Sequence, residues 1–152
     1  MTHYPLLFGF RDLVAGNGFV AGVDLSGRAL LVNEGDGFWM YGVNPGGIAA
    51  GGGTAGEAHS QFRSAYRSVL FDIAAEAVDY AEFEREVTSF VEATNQPTAA
   101  EWDEAVLEVR RGKVDADWLP KRKAESRIGV QISLLDHPVP SANVLDEAEL
   151  AA

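Results

Sequence analysis

Residues 35–58 read GDGFWMYGVNPGGIAAGGGTAGEA, and this stretch decides the fold. The aromatic and branched run Phe38 to Val43 favours a β-strand. The connection Asn44 to Gly53 is predicted to hold no regular element, because glycine adopts unusual φ values and proline cannot donate a ladder hydrogen bond. Thr54 and Glu57 then fit a capping box, in which each side chain accepts a hydrogen bond from a free backbone N–H. The stretch therefore predicts a strand that leads into a helix.

Short apolar segments separated by turn residues precede this junction. We predict strands over Tyr4 to Leu13, Phe19 to Leu25 and Arg28 to Val32. Asn17-Gly18 is predicted to separate the first two and Ser26-Gly27 the second and third, since Asn, Ser and Gly favour turns. Together with the aromatic run, this order indicates an antiparallel meander of strands.

Three helices are predicted after the junction, each from apolar residues spaced three and four apart. The first starts at Thr54, and its apolar stripe is Ala58, Phe62, Ala65, Val69 and Ile73. The second spans Asp79 to Ala93, and its stripe is Tyr80, Phe83, Val87, Phe90 and Val91. The chain is predicted to break at Asn95-Gln96-Pro97, and a second capping box, Thr98 to Glu101, is predicted to start the third helix. That helix ends near Arg111 with Gly112 as its C-cap, and its buried residues are Trp102, Ala105, Val106 and Val109.

A last strand is predicted over Ile128 to Leu135, where apolar and polar residues alternate. Strands, then helices, then one strand indicate the α+β class, with an antiparallel sheet of three to four strands, about three helices and a late strand. The length of 152 residues fits one domain, which we place at residues 1–136. Residues 137–152 are predicted to form an acidic, flexible tail.

Composition narrows the class of protein. The absence of cysteine excludes disulfides and thiolate metal sites. The N-terminal residues lack the pattern of a secretory signal, and no apolar run reaches the roughly 20 residues of a membrane helix. We therefore expect a soluble, cytoplasmic protein with no membrane partner. The net charge of -11 argues against non-specific binding to DNA and would speed association with a basic partner.

One segment differs from the acidic background, because residues 110–127 are rich in Lys and Arg and include Lys121-Arg122-Lys123. One interpretation is a solvated loop. The other interpretation is a small patch that binds an anion or steers a partner. The sequence leaves both open.

Residue patterns typical of catalysis are weak. The glycine-rich connection lacks a Walker lysine and a GxGxxG pattern, so a structural loop is favoured over a phosphate site. The three histidines lie in separate segments without metal-ligand spacing. Asp24, Asp36 and Glu57 could supply the carboxylates of a metal-dependent nuclease, but nothing in their spacing places them on adjacent strands. We predict a protein that is not an enzyme, and we assign no catalytic residue, no metal and no cofactor.

The aromatic run is the leading candidate for a binding surface. On a strand, Phe38 and Met40 point to one face, and Trp39 and Tyr41 point to the other. If helices cover only one face of the sheet, one pair faces outward, and exposed Trp and Tyr are typical interface anchors. If both faces are covered, the run belongs to the core. We take Trp39, Tyr41, Phe38 and Met40 as candidate partner-binding residues.

Residues 37–58 resemble the HicB-like antitoxin family, whose pattern runs roughly G-Y-V-A-x-V-P-D-L-P-G-C-x-x-x-G-D-T-x-x-E-A. The residues that match this pattern are Gly37, Gly47, Gly52, Thr54, Glu57 and Ala58. The two prolines of the pattern are not matched, and Gly53 stands where it has aspartate. With the strands before and the helix after, the resemblance extends over residues 28–77.

The resemblance implies a partial RNase H-like domain that neutralises a small basic HicA-type mRNA interferase by covering its RNA-binding surface. The predicted function is thus a binding protein with such a toxin as partner. Self-association is expected as well, because sheet edges need covering. Direct DNA binding is not expected, because no basic recognition helix follows Ile128. The alternatives are an RNase H-like metal-dependent nuclease or hydrolase and an oligomeric interaction module.

Overall fold

The computed structural model describes residues 1–135, and the predicted tail at 137–152 lies outside them. The elements in this part of the chain are β1 (Thr2–Gly16), β2 (Phe19–Asn33), β3 (Phe38–Asn44), β4 (Ala49–Gly52), α1 (Ala55–Glu76), α2 (Tyr80–Glu92), α3 (Gln96–Arg110) and β5 (Gly129–Leu134). The predicted α+β class is confirmed, with an antiparallel sheet, three helices and a late strand in that order. None of the helices in the described range has the length and apolar character needed to cross a membrane.

β1 and β2 form one long antiparallel ribbon joined by the predicted Asn17-Gly18 turn. The predicted turn at Ser26-Gly27 is wrong, because β2 continues straight through it. Gly27 lies where a side chain has no space, since a Cβ there would be 2.3 Å from the backbone oxygen of Asn44 and 2.7 Å from the Phe8 ring. This glycine permits close packing within a strand.

The other edge of β2 is shared by two strands. β3 pairs with Arg28 to Asn33, and β5 pairs with Ala21 to Ser26, both antiparallel. β4 pairs with β3 at the margin of the sheet. The prediction that Asn44 to Gly53 holds no regular element is therefore wrong. Pairing with β3 holds Ala49 to Gly52 in a strand despite a low intrinsic β-propensity.

α1 and α2 cover one face of the sheet and enclose the larger hydrophobic core. The buried residues of α1 are Ala58, Phe62, Tyr66, Leu70 and Ala74. Ala65, Val69 and Ile73, which were predicted in the stripe, lie on its flank and are only partly buried. The apolar stripe is thus centred one position further round the helix than predicted. α2 packs through its predicted residues, which are Phe83, Val87 and Val91 with Tyr80 and Phe90 partly buried.

α3 covers part of the opposite face of the sheet. The buried residues of this smaller cluster are Leu30, Val32, Val43, Trp102 and Ala105, and the predicted Val106 packs against it partly buried. Leu30 and Val32 alternate along β2 with Ala29 and Leu31, which belong to the larger core. This half of β2 is therefore buried on both faces. The α3 side of the sheet is covered only in part, because the sheet extends beyond the helix.

The predicted start of α3 is wrong by three residues, since the N-cap is Asn95 and not Thr98. The helix begins at Gln96, and its N-cap Asn95 accepts the N–H of Thr98 at 3.2 Å. Pro97 does not break the chain, because a residue in the first turn of a helix needs no N–H partner. Gly112 follows the helix at φ 71°, as its predicted role at the C-terminus requires.

The predicted capping box of α1 is confirmed with one change. Thr54 Oγ1 accepts the N–H of Glu57 at 3.1 Å, and Glu57 Oε2 accepts the N–H of Gly53, not of Thr54, at 2.8 Å. Asp79 and Glu82 repeat this arrangement at the start of α2. Both helices thus begin with acidic groups where the helix dipole favours negative charge.

The turn between β3 and β4 is fixed against the link between α2 and α3. Gly46 N–H donates to the Ala93 carbonyl at 2.8 Å, and Asn95 N–H donates to the Val43 carbonyl at 3.0 Å. A Cβ on Gly46 would lie 2.4 Å from the backbone nitrogen of Asn95. Only glycine allows this approach, which ties the start of α3 to the end of β3.

A buried tyrosine offers a test of the larger core. Tyr66 packs against Phe8, Phe10 and Phe90, and its hydroxyl has no hydrogen-bond partner among residues 1–135. Burial also raises the pKa of Tyr66. We expect Tyr66→Phe to stabilise the protein by about 1 kcal/mol or more, because it removes a buried polar group without a partner and keeps the ring. Urea denaturation monitored by circular dichroism measures this, and a destabilised variant would contradict it.

Candidate partner-binding surface

β3 distributes the four candidate binding residues over two faces of the sheet. Met40 lies opposite Leu31 in the larger core and is fully buried. Phe38 packs at the margin of that core and is half-buried. Trp39 and Tyr41 lie on the α3 side, where Trp39 is 42% exposed and Tyr41 is half-buried beside the smaller cluster. Trp39 and Tyr41 therefore form the exposed surface, and Met40 is out of a partner's reach.

The two exposed rings are held in a fixed arrangement. The ring centroids of Trp39 and Tyr41 are 6.1 Å apart, and their planes are 23° from parallel. Trp39 lies opposite Gly51 in the β3–β4 pairing, and a Cβ on Gly51 would be 2.7 Å from the indole Cε2. The indole therefore lies over the bare backbone of Gly51, as aromatic side chains do over glycines in sheets. We call Trp39, Tyr41 and Gly51 the aromatic platform.

Carboxylates flank the aromatic platform. The Tyr41 hydroxyl donates to Glu34 Oε1 at 3.4 Å, from the turn between β2 and β3. Burial raises the pKa of Tyr41, and the negative charges of Glu34 and Glu101 raise it further. Glu101 reaches this region from α3, and its Oε2 lies 4.0 Å from Nε2 of His3 on β1. A turn and a helix thus bring negative charge to Tyr41.

This combination is suited to positively charged groups. The face of an aromatic ring attracts a Lys or Arg cation, and Trp is the best of the aromatic residues for this. A neighbouring carboxylate adds a charge-assisted hydrogen bond. The aromatic platform therefore has the chemistry of a site for basic side chains.

Most of the residues that match the family pattern build the junction between sheet and helix. These residues are Gly37, Gly47, Gly52, Thr54, Glu57 and Ala58. Thr54 and Glu57 cap α1, and Ala58 is a buried residue of its first turns. A Cβ on Gly52 would lie 2.5 Å from Glu57 Cβ, and one on Gly37 would lie 3.0 Å from the Gly52 oxygen. Gly47 has open space around it. Their contacts explain local structure, and none of these residues is among the contacts of Trp39 and Tyr41 described above.

The structure keeps the three candidate nuclease carboxylates apart. Asp24 on β2 pairs with Arg11 at 2.9 Å. Asp36 lies in the turn beyond the far end of β2, and Glu57 caps α1. In the described range, no three His, Asp or Glu side chains form a group that could hold a metal ion. The nuclease alternative therefore lacks a ligand set in residues 1–135.

Sequence reasoning missed two contributors to the surface. Gly51 could have been found by continuing the strand pairing beyond the turn after β3, which places it opposite Trp39. Glu101 belongs to a helix distant in sequence, and no local pattern connects it to Tyr41. Its place near the platform follows from the packing of α3 on the sheet.

Comparison with known proteins does not assign this chain to a family. No family model, curated protein or solved structure matches the chain. The surface is therefore interpreted from its own geometry.

The assignment of faces on β3 is directly testable by truncation. We expect Met40→Ala to destabilise the protein by about 2–5 kcal/mol, because it leaves a cavity in the larger core. Trp39→Ala should cost only about 1 kcal/mol, the order of the lost contact between the two rings. Urea denaturation of both variants gives the comparison, and an equal or larger loss for Trp39→Ala would show that the faces are exchanged.

Proposed function

We propose that this protein is a non-enzymatic, HicB-like binding protein that holds basic side chains of a small basic protein on its aromatic platform. The observation that carries the proposal is the stacking of the exposed Trp39 on the half-buried Tyr41, with Glu34 and Glu101 beside Tyr41. In this role the partner is a HicA-type mRNA interferase, and the protein acts by covering its RNA-binding surface.

Recognition at the platform favours arginine over lysine. A guanidinium is planar and weakly hydrated, so it stacks on an aromatic face and can still donate two parallel hydrogen bonds to a carboxylate. Trp39 and Tyr41 offer the faces, and Glu34 and Glu101 are the carboxylates whose charges act on Tyr41. Stacking of one such cation contributes about 0.5–2 kcal/mol, depending on how far it is desolvated.

Net charge supports the same class of partner. A protein that binds RNA presents a basic surface to the phosphates. A chain with a net charge of -11 attracts that surface over several ångströms and accelerates encounter. Charge complementarity thus provides speed and selects the partner's basic face, whereas the buried contacts at the platform provide residence time.

The full interface has to be larger than the platform. Stable interfaces bury roughly 800 Å² on each partner, which corresponds to about 20–30 residues. Exposed carboxylates continue from the platform along α3, where Glu104 lies one turn beyond Glu101. Asp36, in the turn before β3, extends the acidic surface on the other side. We propose that the partner covers this acidic border together with the two rings.

The layout around residues 37–58 supports the HicB-like interpretation at the level of architecture. A strand comes first and a helix capped by Thr54 comes last, as the resemblance implies, with the short strand β4 between them. Self-association stays a separate prediction, and light scattering on the purified chain measures it.

The proposal predicts which aromatic residues a partner needs. We expect the double variant Trp39→Ala, Tyr41→Ala to bind the basic product of the adjacent small open reading frame with a Kd at least about 30-fold higher. The reason is that truncating an aromatic anchor costs about 2 kcal/mol or more, and each 1.4 kcal/mol is tenfold. Co-purification and calorimetry are the measurements.

Trp118→Ala is the matched control, because Trp118 is 53% exposed but lies in the segment after α3. It should bind like the unaltered chain and relieve toxicity equally well on co-expression. No complex with that product, or equal weakening by Trp118→Ala, would contradict the proposal.

A further inference from the structure

A groove lies beside β1, and neither Trp39 nor Tyr41 lines it. It is a groove of about 460 Å³ between α3 and residues 116–125, within the roughly 300–1,000 Å³ range of small-molecule sites. Its apolar lining includes Leu6 and Phe8 of β1, Trp102 and Val106 of α3, and Leu119. A groove with this lining can bury the apolar body of a ligand. We call it the basic groove, because basic side chains also line it.

Three consecutive cations, Lys121, Arg122 and Lys123, line the same groove and are exposed. Within residues 1–135 none of their side chains forms a hydrogen bond or an ion pair, although, beside the hydrogen bond from Arg110, the charge of Lys123 helps to lower the pKa of Glu125 at the same groove. Arg110, which also lines the groove, differs because it is paired with Glu125. The groove lining thus keeps an excess of positive charge over Glu125, and this excess beside an apolar lining, in a chain of net charge -11, favours a ligand that carries a negative head.

The backbone of β1 disfavours an added peptide strand as the occupant. β1 is an edge strand that pairs with β2 alone. Its outer edge is nevertheless occupied, because Trp102 Nε1 donates to the Leu6 carbonyl at 3.2 Å and Arg63 donates to the Gly9 carbonyl at 3.0 Å. A peptide that extended the sheet would have to displace these side chains. A compact ligand that binds through apolar contacts and one charge would not have to displace them.

We propose that the basic groove binds an amphipathic organic anion, with an apolar chain or ring system and a single carboxylate or similar head. The apolar part lies against Trp102, Val106 and Leu119, and the head pairs with the Lys121–Lys123 cations. This site is distinct from the aromatic platform, which has the opposite charge preference. The basic segment is thereby a ligand-binding rim, one of the two interpretations that the sequence leaves open.

The test compares two probes with the same apolar body, dodecanoate and dodecanol, added to the full chain below their aggregation limits. Calorimetry should show one saturable site for dodecanoate and at least tenfold weaker binding of the uncharged dodecanol. The variant Lys121→Gln, Arg122→Gln, Lys123→Gln should bring dodecanoate to within about twofold of dodecanol, because only the charge contribution is lost. Val106→Trp should weaken both probes, because it fills the groove.

The control variant Arg85→Gln, Lys113→Gln, Arg127→Gln removes the same number of exposed charges outside the groove. It should keep at least half of the tenfold preference, and thermal unfolding should show that all variants are folded. The proposal is overturned if dodecanoate does not saturate, if both probes bind equally to the unaltered chain, or if the control loses as much preference as the groove variant.

Discussion

The register between β2 and β3 determines which side chains of β3 enter the core and which lie on the opposite face of the sheet. Leu31 pairs with Met40 and Val32 pairs with Trp39, so Met40 enters the core beneath α1 while Trp39 reaches the opposite face. A slip of one residue would exchange the two, because successive side chains on a strand point to opposite faces. β2 holds the register because it is buried on both faces here and pairs with β1 along its other edge.

α3 connects two surfaces of opposite charge. Its first half brings Glu101 to the aromatic platform, and Trp102 and Val106 belong to the basic groove, where Arg110 lies in the last turn. The order agrees with the helix dipole, which favours cations at the C-terminal end. A single helix, fixed to β3 through Asn95, therefore positions parts of both proposed sites. A shift of α3 along the sheet would alter the two sites together.

The sequence alone was sufficient where local chemistry decides the structure. The Asn17-Gly18 turn, the Thr54 cap and the alternation of Met40 with Trp39 follow from short-range rules and are observed. The prediction of a turn at Ser26-Gly27 was wrong because Gly27 is needed for close packing against Phe8 and Asn44. In the sequence such a glycine cannot be distinguished from a glycine in a turn. β4 was missed because its hydrogen bonds come from β3, not from its own propensity. The carboxylates around Tyr41 and the basic groove depend on tertiary packing, which no local pattern reports.

The most direct test of the central claim uses the indole N–H signals of Trp39, Trp102 and Trp118 in a nuclear magnetic resonance titration. They report on the platform, on the basic groove and on the segment after α3, respectively. On addition of an oligo-arginine peptide, we predict that the Trp39 signal shifts first and that its shift saturates. An oligo-lysine peptide of equal length should give a smaller shift of the same signal. A saturating shift of Trp102 or Trp118 with Trp39 unchanged would contradict it.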